Sequence, residues 1–178
     1  MFEILLVISG LIFIALVAIL VAASRKPDTF RIERSATINA APETIFALIN
    51  DFHQWRGWSP WETRDPNLKR NYSGSVSGKG AVYAWEGNRN VGSGRMEILE
   101  SAVPSKIVIK LDFIKPFEGH NTAEFTLTHG ANATVVNWAM TGPSIFFSKL
   151  MQVFMSFDRM IGKDFEAGLA NLNKLTAK

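Results

Sequence analysis

The chain from Ser144 to Thr176 reads "SIFFSKLMQVFMSFDRMIGKDFEAGLANLNKLT". Phe146, Leu150, Val153, Phe157, Ile161, Phe165, Leu169, Leu172 and Leu175 recur in it at helical period, as one apolar stripe. The pattern predicts a long helix. Gly162 and Gly168 weaken it and mark places where another backbone could approach closely. A stripe of this length has to be covered, and the preceding residues supply the cover.

From Lys69 onward the apolar period changes to two. Lys69–Gly74, Ala81–Glu86, Gly94–Ala102, Lys106–Ile114, Ala123–Thr128 and Thr134–Thr141 read as successive strands. The turn sequences SGKG, EGNRNVG, VPS, KPFEG and HGAN separate them. Short spacings without helical crossovers give an antiparallel meander. Upstream, "FRIERSATI" (Phe30–Ile38) alternates Phe30, Ile32, Ala36 and Ile38 against polar neighbours, as a strand with one buried face does. "NAAPETIFALIN" then predicts a helix with Asn39 as N-cap and Pro42 in its first turn. The order is β-α-α-β6-α. It is an α+β domain, a curved seven-stranded antiparallel sheet closing around the long C-terminal helix.

Between the first helix and the meander lies "DFHQWRGWSPWE" (51–62), with Trp55, Trp58 and Trp61 in one short stretch. Trp55 and Trp58 are three apart and share a helical face, so both can point onto the mouth of the sheet. Trp61, after Pro60, can fold back over the same edge. The three read as the roof of an apolar space. A place at a membrane surface is the alternative.

Residues 4–23, "ILLVISGLIFIALVAILVAA", carry no charge and are about as long as a helix needs to cross a bilayer. A secretory signal peptide would have a basic start and a shorter apolar run, and here only Glu3 precedes it. Small residues in "VAAS" keep a cleaved signal and an exported domain as the alternative. Arg25, Lys26, Arg31 and Arg34 all follow the span, which places the C-terminal domain in the cytoplasm, on an inner membrane crossed once. The expected organisation is an anchor over 1–24, a linker over 25–29 and a domain over 30–178.

The motifs "INAAPETIFALIND", "FHQWRGWSPW", "VYAWEGNRNVGSGRMEI", "TVVNWAMTG" and "FDRMIGKDFEAGLANLNKL" span essentially everything after the anchor. In this order they resemble the START-like (SRPBCC) helix-grip superfamily, which includes the Bet v 1 allergens, and within it the bacterial polyketide cyclase/dehydrase group. The resemblance implies a helix-grip fold with an apolar cavity between sheet and long helix. It also implies an apolar or amphipathic ligand: a lipid, a quinone or a polyketide-like aromatic. A cyclase or dehydratase using the same cavity is one alternative, and an anchored protein-interaction module without ligand is another.

Composition narrows the chemistry. A net charge of +3 with scattered basic residues does not make a nucleic-acid face. The absence of cysteine excludes disulfides, thiolate metal sites and a catalytic thiol. "GSVSGKG" lacks the spacing and the final hydroxyl residue of a phosphate loop. His53, His120 and His129 have no ligand-spaced partner, so neither a metal nor a cofactor is expected. No catalytic residue emerges. The expected cavity residues are Trp55, Trp58, Trp85, Met96, Ile109, Leu111, Phe113, Phe125, Trp138 and Met140, joined by Phe147, Met151 and Met155 from the long helix. Arg34 and Asn121 share the inward face and are the candidate polar groups there; for Arg34 the favoured alternative is a place near the sheet edge with its charge reaching out to solvent. The expected partners are an apolar small molecule or lipid, and the membrane through residues 4–23.

Overall fold

The computed structural model describes residues 2–177. Helix α1 (Phe2–Ser24) is apolar apart from Glu3 in its first turn, and is long and apolar enough to cross a bilayer. Its side chains face outward almost throughout. Only near its C-terminal end does it meet the rest of the chain, where Ile19 is half-buried and Ala23 fully buried.

Strand β1 (Thr29–Ile38) leads into α2 (Pro42–Asn50) and two 3₁₀ turns, Phe52–Gly57 and Pro60–Thr63. Six strands follow: β2 (Lys69–Gly74), β3 (Ala81–Glu86), β4 (Ser93–Ala102), β5 (Lys106–Lys115), β6 (Gly119–His129) and β7 (Thr134–Pro143). They form one seven-stranded sheet in the order β1-β7-β6-β5-β4-β3-β2, antiparallel throughout. This is the curved seven-stranded sheet expected from the alternation and the helix-grip architecture that the resemblance implies. The cap of α2 differs from the expected one. Ala41, not Asn39, precedes the helix in extended backbone (φ −65°, ψ 144°), because a following proline disfavours helical geometry.

The C-terminal segment also departs from one continuous helix. It divides into α3 (Phe146–Phe154) and α4 (Phe157–Thr176). Met155 is extended between them (φ −139°, ψ 148°), and the Ser156 hydroxyl accepts the Arg159 N–H at 3.2 Å as an N-cap for α4. Phe165, Leu169 and Leu172 of α4 are buried against the sheet, whereas α3 packs on α1. The two helix glycines accommodate side chains rather than a backbone. A Cβ at Gly162 would lie 2.0 Å from Arg34 Nη2, and one at Gly168 would lie 2.8 Å from Trp138 Cζ3.

Candidate functional site

The space between sheet and α4 is filled at one end and open at the other. Beside α2, Ile98, Ile107, Ile109, Phe125, Leu127 and Val136 are packed solid with Trp58. Trp58 packs against Trp55 with ring centroids 4.7 Å apart and planes tilted by 53°, and donates its indole N–H to Leu48 O, while Trp55 donates to Ile49 O. These two bonds hold both rings under α2 while satisfying their polar edge. Toward α3 a cavity of about 380 Å³ remains. Such a volume suits a small organic molecule.

Alternation builds the cavity wall. Trp85, Met96, Leu111, Phe113, Trp138 and Met140 line it from the strands, with Ala123 between them and Trp55 as part of the roof. Asn121 also lines it, with room made by Gly142, where a Cβ would stand 1.9 Å from Asn121 Oδ1. The remaining expected residues lie elsewhere. Trp58, Ile109 and Phe125 belong to the packed end. Phe147, Met151 and Met155 stand outside the cavity because the break after α3 turns that helix away; Phe147 and Met155 are exposed and Met151 half-buried. Only Ser148 of α3, with Ile145 just before it, reaches the wall.

Arg34 does face the helix side, but at the sheet edge where α4 crosses β1. It donates to both Asp158 carboxylate oxygens at 2.9 and 3.0 Å, and to Glu166 Oε1 at 2.7 Å. These bonds raise its pKa above the ordinary arginine value and draw it out of the cavity.

Other polar groups at the wall escaped the alternation pattern. Glu62, in the second 3₁₀ turn, is buried and accepts the Tyr83 hydroxyl at 2.6 Å and Arg70 Nε at 2.6 Å. Burial, then the bond to Glu62, pushes the Tyr83 hydroxyl far above its usual range. Period-two reading does not extend to a four-residue turn, so nothing in the local pattern singles Glu62 out. At the open end His120 pairs with Asp112 at 2.7 Å and approaches Glu118 at 3.4 Å. The Asp112 hydrogen bond holds the imidazole pKa above its ordinary value. The cavity is thus an apolar body with polar groups at the rim and two paired carboxylates in its lining, Glu62 held by Arg70 and Tyr83, and Asp164 held by Arg64. Among the described residues no cluster of His, Asp and Glu could hold a metal ion.

Residues 29–176 match the family model described as polyketide cyclase/dehydrase and lipid transport. The chain belongs to this family. No curated protein matches it. Among solved structures, this polyketide cyclase/dehydrase and lipid-transport family member is similar to ginseng major latex-like protein 151 from Panax ginseng, with a TM-score of 0.63 and 9% identity over 85% of this chain and 100% of that one. Protein Ms6760 from Mycobacterium smegmatis gives 0.58 and 18% over 84% and 92%. The di-domain ARO/CYC BexL from the BE-7585A biosynthetic pathway gives 0.61 and 11% over 88% of this chain and 53% of that one. At such identities the likeness is one of fold.

Proposed function

We propose that residues 1–24 anchor the chain in an inner membrane, that residues 25–29 link them to a cytoplasmic domain over 30–178, and that this domain binds an apolar or amphipathic small molecule. The observation that carries the binding reading is the cavity of about 380 Å³ walled by Trp55, Trp85, Met96, Phe113, Trp138 and Met140. Aromatic and thioether side chains give an adaptable apolar pocket, and a few polar groups fix the orientation of what enters. The family description, which includes lipid transport, agrees with a lipid-like occupant. The wall carboxylate Glu62 is engaged by Tyr83 and Arg70, which favours holding a molecule over transforming it.

The test uses the full chain in nanodiscs and a conjugated polyene fatty acid that accepts energy from tryptophan. Saturable transfer is expected. Ala123, buried in the wall, becomes the point of obstruction. Ala123→Phe should project a ring into empty space, weaken binding by roughly tenfold or more and leave thermal stability close to that of the parent. Equal binding by both proteins would refute the cavity reading. A reporter fused after Lys178 that behaves as exported would refute the orientation.

A further inference from the structure

Helix α3 is built inside out. On a helical projection Phe146, Phe147, Leu150, Met151 and Phe154 form one broad arc, and Ser148, Lys149 and Gln152 form the other. The polar arc is the one turned to the domain. Lys149 is buried against Asp28, Gln152 donates to the Ser144 hydroxyl at 2.8 Å, and Ser148 lines the cavity. On the opposite arc Phe146, Phe147 and Phe154 are 52%, 49% and 69% exposed. A helix facing water would be arranged the other way round. Its polar contacts hold it in this orientation, so the apolar arc must meet an apolar medium.

Three observations identify that medium. Helix α3 packs on α1 near the end where Ile19 and Ala23 are covered, so its exposed arc continues the apolar surface of α1. The β5–β6 turn adds Phe117, which is 69% exposed and lies 5.6 Å from Phe147. Arg25 and Lys26 follow α1, Lys115 stands two residues before Phe117, and Arg159 lies in the first turn of α4, with Asp28, Glu118 and Asp158 interspersed among them. Basic residues around an apolar patch suit the anionic headgroup layer of a bilayer. The cavity opens at this end too, between Ile145 and Ser148 on one side and Glu118, Gly119 and His120 on the other.

We infer that α3 and the Phe117 turn rest in the headgroup layer of the membrane that α1 crosses, and that the cavity exchanges its occupant directly with that leaflet. The inference rests on the anchored-binding reading above and specifies its ligand. The occupant is a lipid-phase amphiphile whose apolar body passes inward while its polar end stays near His120 and Ser148.

The chain has no cysteine, so single cysteines can be introduced at will. Phe147→Cys, Phe154→Cys and, at the far end of the sheet in the β4–β5 turn, Val103→Cys would carry an environment-sensitive fluorophore. Each full-length protein would be placed in vesicles of phosphatidylcholine with a minority of phosphatidylglycerol. Labels at 147 and 154 should be quenched by nitroxide lipids and shielded from aqueous iodide, and the label at 103 should behave in the opposite way. Iodide quenching at 147 and 154 equal to that at 103 would overturn the inference. Shielding from iodide without quenching by nitroxide lipids would mean a protein cover, such as a second copy, and would also overturn it. In a second arm, Phe147→Ser with Phe154→Ser should slow uptake of the polyene fatty acid from vesicles on the order of tenfold per phenylalanine. The amount bound at equilibrium should not change. An unchanged rate would overturn exchange with the leaflet. If the labels lie in the lipid but the parent protein takes up no fatty acid, the binding reading fails while the docking of α3 stands.

Discussion

The rings of Trp138 and Phe165 stack with centroids 4.1 Å apart and planes 5° from parallel. One belongs to β7 and the other to α4, so this pair ties the helix to the floor of the sheet. Gly168, one turn along α4, leaves space for the Trp138 edge. Phe165→Ala should therefore cost about 3–5 kcal/mol through the cavity it leaves. Gly168→Val should cost about 1–3 kcal/mol by displacing the indole. Denaturant unfolding followed by tryptophan emission measures both. A neutral Gly168→Val would mean that the stack yields freely.

Glu62 is held by Tyr83 and Arg70 in a buried site at the cavity wall. Removing one member leaves a buried charge without its partner. Glu62→Ala should destabilise by about 3–5 kcal/mol. The combined change Glu62→Leu with Arg70→Met should recover much of that loss, because an apolar pair of similar volume has no charge to desolvate. No recovery in the double variant would show that the triad serves something other than burial balance.

Arg34 clamps β1 to α4 through Asp158 and Glu166, outside the cavity. The carboxylates are more than half exposed, so the pairs are screened by solvent and salt. Arg34→Ala should lower Tm by about 2–4 °C at low ionic strength, and by less as salt rises. It should leave binding of the polyene fatty acid unchanged. A loss of binding at unchanged stability would return Arg34 to the ligand.

His120, at the open end of the cavity, faces Asp112 across β6 and β5; Asp112 alternates with the inward Leu111 and Phe113 and does not line the cavity. For Asp112 burial acts upward, but hydrogen bonds from His120 and Lys110 outweigh it and hold the carboxyl below its usual range. The imidazole is shifted upward from 6.5. A raised folded-state pKa stabilises fully below the unfolded value, near 6.5, and the contribution disappears as pH climbs through the folded value. The pair is held most firmly below about pH 6.5 and weakens as pH rises through the raised folded-state value. An NMR titration of His120 gives the test, with Asp112→Asn expected to bring its pKa back down. An unchanged titration in that variant would contradict the pairing.

The strands other than β6 were legible to within two residues because each has one dry face, and burial on one side imposes a period of two; β6 begins at Gly119, four residues before the expected Ala123. Gly94 and Lys106 lie within a residue of the observed starts of β4 and β5. The break between α3 and α4 was not legible. Phe146, Leu150 and Val153 run in phase with Phe157 and Ile161, and a period reports that a face is apolar without saying what covers it. Arg34 shows the same limit. Alternation gave its face but not its place along the strand, and the crossing of α4 over the edge decides that it meets carboxylates. The cavity's aromatic wall on β3, β4, β5 and β7 came directly from inward positions, whereas Glu62 sits in a turn too short to have a period.

Four residues, Arg25 to Asp28, join α1 to β1. Even fully extended they reach only roughly 14 Å. On the proposed anchoring, a tether this short would make the surrounding lipid, not water, the solvent against which the cavity competes. For a leaflet-dissolved occupant, filling then depends on its mole fraction in the membrane rather than on its aqueous concentration. Adding inert lipid at a fixed amount of ligand should empty the site by dilution, and each anchored copy should sample only the patch of membrane through which it diffuses.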